Sequence, residues 1–135
     1  MQEKRLLHIA HIAVRWGDMD SYGHVNNALY MQYLEEARVA WFERQGIAMN
    51  NVPQGPVILQ TLHTYLKPVV HPATVQVELF AGVVGRSSLV IEHRLSTLQE
   101  PAVTCGEGYC KLVWIDHASE RSVALPDNLR ALLSS

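Results

Sequence analysis

A single helical periodicity in an otherwise strand-like chain most limits how this sequence can fold. Between residues 27 and 45, apolar side chains recur at Tyr30, Leu34, Ala37 and Trp41, the spacing that lines one face of a helix. Asn26 or Asn27 can cap its start, and Gly46 follows its last turn as a C-terminal cap. The other long segments alternate instead, predicting strands over residues 7–16, 57–68, 74–84, 87–98 and 102–115. One early helix followed by consecutive antiparallel strands is the order of an α+β fold, not of a parallel α/β sheet. A five-stranded antiparallel sheet must have one face covered, and the long helix, bulky with Tyr30, Tyr33, Trp41 and Phe42, is the element available to cover it.

Within this frame, Ala10, Ile12, Val14 and Trp16 form the better core face of the first strand. Gly85-Arg86 has the Gly-x form of a two-residue type II′ hairpin. Pro68 suits the end or edge of the second strand. Leu129, Leu132 and Leu133 predict a short packing helix or turn near the end of the chain. Neither a repeat nor a linker interrupts the pattern, so residues 1–135 read as one domain, of a size that buries about two-thirds of its unfolded surface.

Eleven basic and thirteen acidic residues leave a formal charge of −2. The overall field therefore gives no reason to expect a nucleic-acid or membrane-surface partner. No apolar run approaches the roughly 20 residues that span a bilayer. The start of the chain is broken by His8 and His11, lacks a small-residue cleavage site, and reads as a strand instead of an export signal. Cys105 and Cys110 stand at odd spacing in a predicted strand, on opposite faces, where they do not bridge each other. Two separate thiols suit a reducing cytoplasm. The seven histidines are dispersed without a ligand spacing, which argues against a metal.

The chemistry gathers just before the helix. The loop after the first strand carries Asp18, Asp20, His24, Asn26 and Asn27 and runs straight into the helix start. Unpaired N–H groups and the positive end of the helix dipole favour a negative or strongly polarised oxygen there, such as a carbonyl under attack. An aspartate in such a loop is also an ordinary turn former. Asp18 reads as a partner of Arg15 or an Asx-turn residue, and His24 as either a loop-bonding or a substrate-orienting group. Glu35 reads as half of a solvated helical pair with Arg38.

The run from Arg15 to Arg38, with its D-x-D, its G-H-V-N-N and a tyrosine-rich helix ending in E-E-A-R, resembles the hotdog-fold acyl-CoA thioesterases of the 4-hydroxybenzoyl-CoA thioesterase family. The strand order and the closing Pro126, Leu129 and Arg130 extend that likeness over nearly the whole chain. The resemblance implies a hotdog fold and a homodimer or homotetramer in which chains pair edge to edge and share active sites. It implies hydrolysis of an acyl-CoA to a carboxylic acid and coenzyme A, without a cofactor. Asp20 would be general base or nucleophile, the backbone amide of Asn27 would polarise the carbonyl, and His24 would assist. Glu35 is the second choice of carboxylate, because some hotdog enzymes place theirs on the helix.

Phosphate recognition wants cations and hydroxyl donors, which nominates Lys67, Arg86, Ser87, Ser88 and Arg94 for the nucleotide end of coenzyme A. The G-R-S-S turn also resembles that of the family. Tyr65 and His63 alternate with Lys67 on one strand face and are candidates for the acyl or pantetheine channel. The rival readings are an acyl carrier protein thioesterase, a non-hydrolytic acyl-thioester binding protein, and a hotdog dehydratase.

Overall fold

The computed structural model describes residues 4–134. β1 (Leu6–Ala13) is followed by a 3₁₀ turn at Trp16–Asp18, the long helix α1 (Asn27–Arg44), β2 (Gln54–Tyr65), β3 (Thr74–Val84), β4 (Ser88–Thr97), β5 (Gly106–Asp116) and the short helix α2 (Asp127–Ser134). The strands form one antiparallel sheet in the order β1-β3-β4-β5-β2, so β1 and β2 are its edges. This is the expected α+β arrangement of one long helix on a five-stranded sheet.

The periodicity of α1 becomes its packing. Tyr30, Leu34, Ala37 and Trp41 are all buried, joined by Tyr33, Phe42 and Arg38. They meet an inner sheet face made by Val75, Val77 and Leu79 of β3, Leu89, Ile91 and Leu95 of β4, and Cys110, Leu112 and Trp114 of β5. Phe42 and Trp114 pack edge-on at 6.0 Å between ring centres. Burying each such side chain stabilises the fold by about 1.5–3 kcal/mol. Of the two asparagines considered for the cap, Asn26 is the one used: its side chain accepts from the Ala28 N–H. Gly46, at φ +72°, takes the left-handed position just past the helix end.

α1 lies closest to β1 and β3. The opposite edge, β2, is less covered and exposes Ile58, Leu59, Leu62 and Tyr65. Pro56 fits inside β2 because an edge strand leaves one row of backbone groups unpaired. No helix among the described residues is long and apolar enough to cross a membrane.

Several sequence expectations are corrected. Ala10, Ile12 and Val14 do turn inward, but Trp16 is 79% exposed, because β1 ends at Ala13 and the 3₁₀ turn breaks the alternation. β2 ends at Tyr65, not Pro68, since the Leu66 and Lys67 N–H groups both turn to Cys105 O. Cys105 stands just before β5 instead of within it, and both cysteines are buried and unbridged. The β3–β4 turn has Arg86 and Ser87 at its centre, closed by Gly85 N donating to Ser88 O at 2.8 Å, and Gly85 does not take the positive φ that type II′ requires. The terminal leucines do form a helix. In α2, Leu129 and Leu133 are buried, and Arg130 donates at 2.8 Å to both Gly85 O and Arg86 O, fastening that hairpin.

Candidate active site

The loop between β1 and α1 is tied down at both aspartates, in different ways. Asp18 is 3% exposed and accepts from Arg15 N and Nε at 3.1 Å and from the Tyr33 hydroxyl at 2.7 Å, with Arg15 Nη2 2.9 Å away. Burial alone would raise the pKa of its carboxyl. The bonds from Tyr33 and Arg15 outweigh that and hold it below the ordinary aspartate value. Asp18 is therefore the structural residue expected from its pairing with Arg15, and its partner Tyr33 fixes the loop to α1.

Asp20 closes a tight turn. Its N–H donates to His24 O at 2.9 Å, its carbonyl accepts from Gly23 N at 3.0 Å, and its Oδ1 accepts from Tyr22 N at 2.9 Å. The turn-forming role is real, but it uses one carboxylate oxygen; Oδ2 has no donor among the described residues. Bonds from Val25 N to Val69 O and from Asn26 N to Asp18 O, both 2.9 Å, deliver the chain into the helix. Asn27 is the first helical residue, where the N–H has no intrahelical acceptor.

Asp20, His24, Asn27, Tyr65 and Lys67 line one open cavity of about 510 Å³. Four of these residues flank the helix start in different ways. His24 is exposed and makes no side-chain hydrogen bond among the described residues. Lys67 is 3.4 Å from Glu100 at the rim. Tyr65, 49% exposed, donates its hydroxyl to the Asn27 carbonyl at 2.9 Å, so it braces the first turn of α1 as well as lining the cavity. Asn27 itself is exposed.

The nucleotide-end candidates lie elsewhere in the chain. Ser88 is registered with Val113 of β5, whereas Tyr65 is registered with Gly106, seven positions away along the same strand and about 23 Å at the usual strand rise. Arg86, Ser87 and Ser88 are thus not brought to the Asp20 cavity within one chain. Arg94 is bound to Glu78 at 2.8 Å, Thr104 at 2.7 Å and Pro101 O at 3.0 Å, a structural network. Glu35 is exposed and lines a separate crevice of about 140 Å³. The expected solvated pair with Arg38 is absent: Arg38 is 7% exposed and makes no ion pair among the described residues, because it occupies the buried face of α1.

His63 lies behind the cavity wall instead of in it. Its ring stacks on Tyr30 at 5.6 Å and meets Tyr65 edge-on at 4.7 Å, and its Nδ1 is 2.8 Å from His93 Nε2. Gly106 is required opposite, since a Cβ there would stand 2.4 Å from His63 Nε2. Burial lowers the pKa of both imidazoles; that of His93, opposed next by His63 and then by Arg38, falls to about 3. Both rings are neutral near pH 7.

Sequence reasoning missed Tyr22 and Tyr30 as cavity residues and His93 as the partner of His63. For His93 a signal existed: it shares the inward phase of Leu89, Ile91 and Leu95 on β4. Among the described residues no three His, Cys, Asp or Glu side chains are placed to hold a metal ion.

Comparison with known proteins gives this arrangement a family. A family model described as the thioesterase-like superfamily matches residues 14–133. Among solved structures, the PA2801 protein of Pseudomonas aeruginosa is 68% identical, with a TM-score of 0.94 over 96% of this chain and 100% of its own. The long-chain acyl-CoA thioesterase FadM of Escherichia coli is 31% identical over 90% of this chain and 93% of its own length. A 1,4-dihydroxy-2-naphthoyl-CoA hydrolase of Synechococcus elongatus is 30% identical over 67% of this chain and 71% of its own. With its sheet, its long helix and a match over nearly its whole length, the chain belongs to the thioesterase-like, hotdog superfamily.

Proposed function

We propose that the protein, acting as one domain over residues 1–135, is an acyl-CoA thioesterase of the 4-hydroxybenzoyl-CoA thioesterase type. One observation carries this reading: the Asp20 carboxylate and the helix-start Asn27 line the same cavity. Water adds to the thioester carbonyl as Asp20 takes its proton, and the oxyanion that forms is stabilised by the Asn27 N–H. The tetrahedral intermediate then expels the coenzyme A thiolate, which recovers a proton, leaving the carboxylic acid. Direct attack by Asp20, through an anhydride that water then opens, gives the same products. In this reading His24, which lines the same cavity, relays the proton from Asp20 to sulfur.

Two relatives are described as acting on coenzyme A thioesters, which favours that carrier over an acyl carrier protein. In the same reading the protein works as a homodimer or homotetramer. The apolar side chains exposed on β2 supply the joining edge, and the hairpin bearing Arg86, Ser87 and Ser88 meets the nucleotide of a ligand held in a neighbouring subunit. Buried, unbridged cysteines suit a cytoplasmic setting.

A panel of aryl, short-chain and long-chain acyl-CoAs, read by a thiol reagent, tests the reading. Turnover that disappears in Asp20→Asn is the expected result. Binding without turnover of any member would make the protein a thioester binder instead. Loss in Glu35→Gln but not in Asp20→Asn would move the carboxylate to the helix.

A further inference from the structure

Tyr30 reaches the Asp20 cavity with its hydroxyl proton uncommitted. It follows Asn27 by one helical turn, and side chains on a helix lean back over the preceding turn, so its ring extends toward the start of α1. The residue is 3% exposed, yet it lines the cavity that Asp20 and Asn27 line. Its hydroxyl oxygen accepts from Val69 N at 3.2 Å. A phenol bonded as an acceptor still has its O–H to give, and no acceptor for that proton is found among the described residues. In solution a water meets such a proton, and a substrate oxygen can take the water's place.

The neighbouring tyrosines do not offer the same group. Tyr65 gives its proton to Asn27 O at 2.9 Å, Tyr33 gives its own to Asp18 at 2.7 Å, and Tyr22 is 84% exposed. The Tyr30 ring is also held on three sides, edge-on to Tyr65 at 5.2 Å and to Tyr33 at 6.2 Å and stacked on His63 at 5.6 Å. A donor fixed before the substrate arrives costs no reorganisation when charge develops. Burial raises the pKa of this phenol, the Val69 N–H works against that, and Asp20 is among the neighbours that add to the rise. Tyr30 therefore keeps its proton at neutral pH and acts by donating a hydrogen bond, not as a base.

We propose that the Tyr30 hydroxyl is a second hydrogen-bond donor to the thioester oxygen, beside the Asn27 N–H. As water adds to the carbonyl, negative charge gathers on that oxygen and the two donors hold it together. The phenol keeps its proton throughout, and the intermediate expels the thiolate as before. The kinetic consequence rests on the thioesterase reading, whereas polarisation of a bound carbonyl does not.

Two measurements on Tyr30→Phe test this. With an acyl-CoA that the wild type hydrolyses, kcat should fall by about 10²–10³ while KM changes little, the mark of a donor used mainly in the transition state. With a ketone analogue in which a methylene replaces sulfur, and which cannot be hydrolysed, the infrared carbonyl stretch should lie at lower frequency on the wild type than on the variant. A wild-type kcat, a loss carried by KM alone, or the same carbonyl stretch on both proteins overturns the proposal. So does a loss of kcat that vanishes for a thiophenyl ester, whose thiolate leaves without help: Tyr30 would then serve the sulfur, not the oxygen. Where Tyr30→Phe does not fold, replacing Tyr30 with ring-difluorinated tyrosine keeps the ring and the hydroxyl but makes the phenol more acidic. The alkaline limb of kcat should then move to lower pH, and an unmoved limb overturns the proposal. Failure of the thioesterase reading looks different: no thioester is turned over by the wild type, while the carbonyl shift is present and is lost in Tyr30→Phe, which leaves Tyr30 as the carbonyl's donor in a binding protein.

Discussion

Asp20 and Asp18 are two positions apart and have opposite circumstances. Asp18 spends its acceptors on Arg15 and Tyr33, while Asp20 commits one oxygen to Tyr22 N and leaves the other, beside the cavity, with no donor among the described residues. Asp20→Asn is expected to lower kcat by about 10²–10⁴, the usual contribution of a general base, with the circular dichroism spectrum unchanged. Asp18→Asn should instead lower the melting temperature, because a buried network loses its charge. The His63–His93 pair makes a separate prediction. The folded-state pKa of His93 is about 3, below the value near 6.5 of an unfolded histidine, so between those values the unfolded chain binds more protons. Stability is then fully present above about pH 6.5 and falls as the pH drops toward 3, by on the order of 2 kcal/mol at pH 5. Thermal melts of wild type and His93→Gln across pH 5–7 check this, with the variant expected to show the shallower slope.

The start of α1 offers a cleaner test of the amide than any side-chain change. Asn26 lies at φ −59°, ψ 137°, a conformation compatible with a following proline, and the first helical position tolerates proline because its N–H is unpaired in any case. Asn27→Pro therefore deletes the proposed oxyanion donor alone. Its kcat should fall by about 10²–10³, while Asn27→Ala stays near wild type and the melting temperature of both changes little. Equal activity in the proline variant would remove the Asn27 amide from the mechanism. At the other end of the sheet, Arg130 holds two hairpin carbonyls. Arg130→Ala should destabilise the fold by about 1–3 kcal/mol in denaturant melts, leaving those acceptors without their charged donor.

For the whole molecule, the open question of assembly falls on β2. Its edge exposes Leu59 (60%) along with Ile58 and Leu62, a row that is an invitation to pairing unless another chain covers it. In the proposed oligomer, Leu59→Lys with Leu62→Lys should give a monomer in light scattering, with a native spectrum and diminished turnover. A wild-type protein that is already monomeric, or a monomeric variant with full turnover, would show that one chain suffices for the reaction. The architecture itself was legible beforehand, since hydrophobic period distinguishes helix from strand by local geometry alone: α1 matches its predicted span within a residue, and β3 matches as well. The D-x-D to E-E-A-R run likewise marked the loop and helix that build the cavity. Period does not report where a strand stops: Trp16 leaves the alternation because a 3₁₀ turn follows β1, and the ends of β2 and β5 depended on backbone bonds to distant chain, such as those made to Cys105 O. Nor does it report which neighbour a side chain finds. That Tyr65 braces Asn27, that His63 meets His93, that Arg38 turns to the buried face of α1 and that Arg86 stands far from Asp20 are results of sheet register and helix docking, long-range terms to which the local sequence pattern is blind.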